Sequence, residues 1–314
     1  MGGVGVSLML TGRKRGAAER HGINTMRIAP YLFTLPFVIS FCLFFAYPLG
    51  YMVMMSLENI EGISSVTFVG MKNYVRLFGD ARVMNAVRNS VMFTAGILVL
   101  NVVLALLLAV VLNNRQTPLR NMFRSALYLP ALTSIIVAGI YFRLFFGSGD
   151  RTPLNSVMSF LGFGPKAWLF DTVYTGVFAL VITSTWRWLG TNLIYFLCGL
   201  QSIPQELYEA AEIDGAGPLQ RLIYVTIPGL RPKIVFVVTV LTYGGLRMFG
   251  ESYVLWTNGN TPNNIGITIV LYIYKTAFAR YQTGYAAAMS TLLFVVLFFI
   301  NLLYIRVRKI GKEG

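Results

Sequence analysis

The chain is 314 residues long, with 56% hydrophobic and only 12% charged residues, and its formal net charge at pH 7 is +14. A soluble domain carries about 25% charged residues, so this composition excludes a soluble globule, and the 14% aromatic content excludes a disordered chain. The chain is therefore a protein whose main solvent is lipid, and basic cytoplasmic loops explain its charge more simply than nucleic-acid binding does.

Six apolar segments follow one another along the chain, each of about 20 residues or more, the length that crosses roughly 30 Å of hydrocarbon. They span about 28–54, 90–112, 127–146, 173–200, 234–256 and 286–307. The first follows a basic tail, 1–27, and is longer than the apolar run of about 7–15 residues in a signal peptide. We predict an all-α, polytopic membrane protein with six transmembrane helices.

The loops between these segments differ in their basic content. The tail, loops 113–126 and 201–233, and the C-terminal end together contain 15 Lys and Arg residues, whereas the other three loops contain 8. Because cytoplasmic loops carry the excess of Lys and Arg, both termini are predicted to be cytoplasmic.

Two of the outer loops are long enough to fold. In the stretch 55–89 we expect a small subdomain packed on the membrane surface through four side chains, namely Phe68, Tyr74, Leu77 and Phe78. The stretch 257–285 begins with turn-forming residues and becomes apolar from Ile269. It is predicted to be a loop dipping toward the membrane or an interfacial helix.

Charged side chains inside segments four and five are costly in a membrane, about 2.5–3.5 kcal/mol each on insertion scales. Glu251 lies four residues after Arg247, so a continuous helix would pair them on one face. In the alternative interpretation, polar and charged residues line a solute pathway, and the candidates are Arg187, Asn192, Tyr243, Arg247 and Glu251. Gly244 and Gly245 allow a kink or a close approach of two helices.

The loop between segments four and five predicts a short helix off the membrane, at about 205–215. Pro204 suits the first turn of a helix, and Gly215 or Gly217 can supply a left-handed stop. Its acidic residues are Glu206, Glu209, Glu212 and Asp214. Anionic lipid would repel such a helix, so we predict that it docks on a protein partner.

This loop resembles a known motif. Glu-Ala-Ala at 209–211, Gly215 and the sequence Val-Thr-Ile-Pro at 225–228 are similar to the EAA loop of membrane subunits of binding-protein-dependent ABC importers. Val225 and Ile227 replace the family's Ile and Leu, while the spacing is kept. Segments at 30–36, 47–49, 68–74, 124–130 and 272–278 resemble sugar-type permeases, whereas 258–262 departs from the family's Gly-Gly-Pro.

The resemblance implies the transmembrane domain of a type I ABC importer over residues 28–314, in a bacterial or archaeal inner membrane. The short helix would then be a coupling helix that contacts an ATPase subunit through Glu206, Glu209, Ala210, Ala211, Asp214 and Gly215. The implied partners are a second, non-identical permease subunit, two cytoplasmic ATPase subunits, an extracytoplasmic solute-binding protein and membrane lipid. The implied solute is a carbohydrate, most simply an oligosaccharide.

The residues leave two other classes open, a secondary transporter and a polytopic membrane enzyme. An enzyme would need an acid/base or metal cluster, but Cys42 and Cys198 lie in apolar runs and His21 lies in the basic tail. We therefore expect no catalytic residues, no metal and no cofactor, and ATP hydrolysis in a separate subunit because the chain has no phosphate loop. Copurification of an ATPase subunit separates the first interpretation from both others.

Overall fold

The computed structural model describes residues 25–61, 65–114 and 116–310, so the predicted tail 1–27 lies almost wholly outside it. The chain divides into two compact units, Met1–Tyr51 and Met52–Gly314. In the described residues the fold is helical apart from one two-stranded antiparallel sheet. The all-α class predicted from composition is confirmed.

The first apolar segment is built from two helices, α1 (Thr25–Phe41) and α2 (Tyr47–Ser56), joined by a π-helical turn at Cys42–Ala46. The Tyr47 N–H donates to the carbonyl of Cys42, which keeps the stretch helical through the turn. Together they give an apolar stretch, Ala29–Ser56, of 28 residues. The predicted segment 28–54 matches this stretch closely.

The remaining elements continue in chain order. They are β1 (Glu58–Glu61), β2 (Ser65–Phe68), α3 (Lys72–Gly79), α4 (Ala81–Asn113), α5 (Arg120–Tyr128), α6 (Ile135–Phe145), α7 (Pro153–Phe160), α8 (Val173–Leu200), α9 (Gln205–Ile213), α10 (Pro218–Arg221), α11 (Ile227–Leu246), α12 (Gly250–Leu255), α13 (Ile269–Tyr274) and α14 (Thr283–Ile310). Further π-helical turns lie at Leu222–Thr226, between α10 and α11, and at Lys275–Ala279, after α13.

Four helical stretches of the described residues are long and apolar enough to cross a membrane. These are Ala29–Ser56, Ala81–Asn113, Pro218–Leu246 and Thr283–Arg306. A further apolar pair, Arg120–Leu132 and Ile135–Phe145, is bent by 99° and forms either a broken crossing or a re-entrant loop. Helix α8 has 28 residues, about 42 Å at 1.5 Å per residue, and coincides with the predicted segment 173–200. The six membrane crossings remain a prediction, and the described helices are compatible with it.

Helix α8 is the best-buried helix of the second unit, and it packs along α4. Leu180, Leu193 and Phe196 have no exposed surface. The close approach of α5 to α8 depends on a glycine. A Cβ placed on Gly190 of α8 would overlap the carbonyl group of Leu127 at the end of α5. Gly245 likewise brings α11 against Thr94 of α4, which confirms the predicted close approach at the glycine pair.

The predicted boundaries of segment five, 234–256, are wrong. Helical structure begins at Pro218, continues through the π-helical turn into α11 and ends at Leu246. The chain then leaves the helix at Arg247 and starts α12 at Gly250. Arg247 and Glu251 therefore do not share a helical face, and the predicted pair between them does not form.

The stretch 55–89 folds as expected into a small subdomain, while its packing on the membrane surface through the four predicted side chains stays a prediction. Leu77 is buried, whereas Phe68 and Phe78 are 77% and 69% exposed. The Asn73 side chain holds the subdomain together, donating to the carbonyls of Ser56 and Glu58 at 2.9 Å each. A buried amide that bonds two backbone carbonyls was not visible in the hydrophobic pattern.

Polar side chains also fix the second outer stretch, which forms α13 and the turn after it. The Asn89 amide on α4 donates to the carbonyls of Asn264 and Ile267 at 3.0 and 3.1 Å. The Ile269 N–H donates to the Ser90 hydroxyl at 2.9 Å. The predicted helix in 257–285 is confirmed, and it packs against the start of α4 rather than standing alone.

Asp80 connects this stretch to the start of α4. Its carboxylate accepts hydrogen bonds from the hydroxyls of Tyr272 and Tyr285 at 3.1 and 3.0 Å, and from the Arg82 N–H at 2.9 Å. Burial raises the pKa of Asp80, but these hydrogen bonds outweigh it and the pKa lies below its ordinary value. The resulting stabilisation is present above the ordinary pKa and is lost as the pH falls through the folded-state pKa.

The close approach at Gly190 predicts opposite effects for two helical Gly→Ala variants. Gly190→Ala should destabilise the protein by about 1–3 kcal/mol, the usual cost of overpacking, because its Cβ would meet the Leu127 backbone. Gly244→Ala meets nothing within 4 Å and should be neutral or stabilising by up to about 1 kcal/mol through helix propensity. Thermal unfolding of the two purified variants measures both effects, and equal midpoints would contradict the packing described.

Candidate functional site: the loop helix and the buried ion pair

The predicted helix at 205–215 is α9 with its C-terminal cap. It begins after Pro204 and its last turn is closed by two backbone hydrogen bonds. The Gly215 N–H donates to the backbone carbonyl of Glu212 at 3.0 Å, and the Ala216 N–H donates to that of Ala211 at 2.9 Å. These two bonds are the pattern of a Schellman motif. Gly215 has φ +76°, so the motif requires glycine for its backbone conformation and not for space.

One face of α9 is bonded to the segment that leads into α11. The Tyr208 hydroxyl lies 3.1 Å from the hydroxyl oxygen of Thr226, which is buried. Arg221 pairs with Glu212 at 3.3 Å, from Nη1 to Oε2. The two contacts lie one helical turn apart on α9, so both belong to the face that is turned toward this segment.

The opposite face of α9 is open. Ile213 is 88% exposed and Leu207 is 51% exposed. The predicted site residues that are exposed with them are Glu206, Glu209, Ala210, Asp214 and Gly215, while Ala211 is half-buried. The open face is a short acidic surface that includes the apolar side chain of Ile213. The contacts of Tyr208 and Glu212 lie on the other face of α9. Sequence reasoning missed the contact of Tyr208 and the exposure of Ile213, although each lies four residues from an acid, Glu212 and Glu209 respectively.

Glu251 forms its ion pair with Arg187, across two helices. Arg187 Nη1 donates to Glu251 Oε1 at 2.9 Å, and the two side chains are 12% and 9% exposed. The pair joins α8 to α12, and the Arg187 guanidinium also lies 5.4 Å from the ring centroid of Trp188. Arg247 is exposed at the break after α11, which corrects the predicted pairing.

The other two predicted pathway residues bond to neighbouring helices. The buried Asn192 amide donates to Asn101 Oδ1 on α4 at 2.9 Å. The Tyr243 hydroxyl donates to the Leu297 carbonyl on α14 at 3.3 Å. The five residues therefore do not form one cluster: Arg187 and Glu251 lie together, and the rest are separate. Asn192 is enclosed between α4 and α8 and has no open surface toward a solute.

Removing one partner of the buried ion pair should be costlier than removing both. Arg187→Met leaves Glu251 charged and unpaired, which typically costs about 3–5 kcal/mol, so the amount of assembled protein should fall. Adding Glu251→Leu should restore it. Complex yield and thermal midpoint of the single and double variants measure the difference.

Arg247→Met serves as the matched control, since it removes the same charge from an exposed position and should leave yield unchanged. A double variant as unstable as Arg187→Met would contradict an ion pair between Arg187 and Glu251.

The sequence is similar to those of known membrane proteins. Residues 101–310 match the family described as the binding-protein-dependent transport system inner membrane component. The chain is 45% identical to the arabinooligosaccharides transport system permease protein of Bacillus subtilis strain 168, over 89% of this chain and 88% of the relative. It is 34% identical to the lactose transport system permease protein of Rhizobium radiobacter, over 89% and 94% of the two chains.

A solved structure has the same fold. A chain in the crystal structure of a bacterial alginate ABC transporter, in complex with alginate pentasaccharide-bound periplasmic protein, superposes with a TM-score of 0.77. The match covers 93% of this chain and 99% of that one, at 22% sequence identity. The fold is that of an ABC importer permease, as predicted. The chain thus belongs to the family of binding-protein-dependent transport system inner membrane components, which are multi-pass permeases of the inner membrane.

Proposed function

We propose that the chain forms part of the translocation pathway of an ATP-driven importer for oligosaccharides. The observation that carries this proposal is the 45% identity, over 89% of the chain, to a permease named for arabinooligosaccharides. A permease named for lactose, at 34% identity, supports a carbohydrate as the solute class. Family membership disfavours the secondary transporter and the membrane enzyme that the residues alone left open.

The proposed complex contains three kinds of protein partner besides lipid. They are a second, non-identical permease subunit, two cytoplasmic ATPase subunits and an extracytoplasmic solute-binding protein. The excess of Lys and Arg in alternate loops supports cytoplasmic termini, which puts α9 on the same side as the ATPases. In this orientation the short acidic surface of α9 faces the cytoplasm.

The open face of α9 is the proposed coupling surface. Ile213 provides an apolar anchor, and Glu206 and Glu209 flank it with negative charge. Buried apolar anchors with a polar rim are the usual source of binding energy in an interface. The contacts of Tyr208 and Glu212 on the other face would carry a displacement of α9 directly to the segment that leads into α11.

An aromatic pocket between α6 and α8 is the proposed contact for the solute. It has a volume of about 200 Å³ and is lined by Thr133, Val137, Ala138, Tyr141 and Trp186. The rings of Tyr141 and Trp186 stack with centroids 6.5 Å apart. Faces of aromatic rings suit the apolar faces of sugar rings. Arg187, Glu251, Tyr243 and Arg247 remain proposed pathway residues, whereas the enclosed Asn192 is not proposed again.

The coupling role predicts that Gly215→Arg abolishes solute-stimulated ATPase activity of the reconstituted complex. The new side chain would project from the cap of α9 into the docking surface, while membrane insertion stays intact because the position lies outside the spans. Gly162→Arg is the matched control, because Gly162 also has positive φ, +84°, and no atom within 4 Å of its Cβ. It lies in the loop after α7 and should keep stimulation.

Glu209→Lys, with Asp150→Lys as its charge-matched control at an exposed position, extends this test. Stimulation and oligosaccharide uptake should both be lost in Glu209→Lys alone. Wild-type stimulation in Gly215→Arg would exclude this end of α9 from the docking surface, and it would leave family membership untouched.

The proposed orientation predicts the accessibility of two single cysteines. In a background with Cys42 and Cys198 replaced by Ser, Asn121→Cys should react with an impermeant maleimide only after the cells are permeabilised. Phe160→Cys, at a side chain that is 91% exposed, should react in spheroplasts that are intact. The reverse pattern would invert the topology.

A further inference from the structure

A polar cleft lies beside the bonded face of α9, away from the open coupling surface. Its volume is about 1200 Å³, and the described residues that line it come from the ends of α4 and α8, the start of α5, and the α9–α10 segment. Neither the aromatic pocket nor the ion pair belongs to it. The two contacts behind α9, Tyr208–Thr226 and Arg221–Glu212, border this cleft, whereas the open face with Ile213 does not line it.

Three arginines line the cleft, namely Arg120, Arg124 and Arg221, and the acidic side chain among its described lining residues is Glu212. Arg221 forms an ion pair with Glu212. The positive charges of Arg120 and Arg124 therefore have no acidic partner among the described lining residues. Asn113, Asn114 and Gln116 add neutral hydrogen-bond donors at the mouth. The cleft therefore has a net positive charge and an excess of donors, which is the chemistry that binds a phosphate group.

Arg124 is held in place with part of its guanidinium group unused. Its Nη2 donates to the Leu112 carbonyl at 2.6 Å, one of the carbonyls near the end of α4 that lack a helical partner. Its Nε is buried and, among the described residues, has no hydrogen-bond acceptor. Arg124 also lines the cleft, so its positive charge lies at the wall of this space.

Apolar surface continues from the cleft along the membrane-spanning helices. Val110 and Leu200 form part of its wall. On α4, the neighbouring Leu107 and Val111 are 47% and 56% exposed, and Met122 on α5 is 63% exposed. A basic cavity that adjoins exposed apolar side chains at the end of a membrane span fits a phosphate with acyl chains better than a soluble phosphate compound.

We infer that this cleft binds the headgroup of an anionic phospholipid, with Arg120, Arg124 and Arg221 around the phosphate and the acyl chains along α4 and α5. The site lies at the junction of α4, α5 and the α9–α10 segment. A lipid there would therefore contact both the base of the loop helix and the span that packs on α8. This inference does not depend on the identity of the transported solute.

The test measures phosphatidylglycerol retained by the transporter complex in nanodiscs with phosphatidylcholine as the bulk lipid, counted by native mass spectrometry. The double variant Arg120→Gln/Arg221→Gln leaves Arg124 and Glu212, with no net charge in the cleft. Its affinity for phosphatidylglycerol should fall roughly 30-fold, the factor expected from losing two basic contacts with an anionic membrane lipid. Gln116→Glu, which is nearly isosteric, should also weaken retention without touching the Arg221 pair.

The matched control is Arg231→Gln/Lys233→Gln, which removes the same charge from exposed positions at the start of α11 that do not line the cleft. It should retain phosphatidylglycerol as the wild type does. Inorganic phosphate added to the discs should not displace the lipid.

Three results would overturn the inference. Equal loss in both double variants would mean a general charge effect. Displacement by inorganic phosphate would mean a site for a soluble phosphate compound. Unchanged lipid with a lost ATPase subunit in Arg120→Gln/Arg221→Gln would mean that the cleft is a protein interface.

Discussion

Helices in a bilayer cannot drive one another together by the hydrophobic effect, because lipid tails are as apolar as their side chains. The contact between α4 and α8 solves this problem and supports most of the second unit. Small residues such as Ala105 and Ala179, both fully buried, let the backbones approach, and the Asn192–Asn101 hydrogen bond adds a polar contact inside the pair. Both outer stretches and the loop helix are then attached to ends of helices that this contact has already fixed.

The second consequence of the lipid environment concerns charge. Arg187 and Glu251 are far apart in sequence, and their pairing brings the short helix α12 against α8. A membrane charge without a partner would be too costly to keep, so the break after Leu246 and the ion pair depend on each other. The break turns Glu251 away from Arg247 and toward α8, and the pair holds the chain after the break in place.

The sequence alone predicts the features that depend on local chemistry. The apolar runs located the helical segments, including α8 at its observed bounds, and the acidic pattern with Gly215 located α9 and its cap. It failed where distant contacts decide. Arg231 and Lys233 made the start of segment five look like a loop, although the helix passes through them, and a four-residue spacing favoured the wrong partner for Glu251. The hydrophobic pattern likewise had no means to show that Asn73 and Asn89 each bond two carbonyls.

The cap of α9 has a consequence for which sequences can carry this loop. A Cβ at Gly215 would meet no atom within 4 Å, so the restriction comes from the backbone angle alone. Asparagine enters the left-handed region more readily than other residues with a side chain, and it is therefore the replacement that evolution can most easily accept there. Gly215 is thus required for its dihedral angle rather than for its size, and a replacement must tolerate that angle.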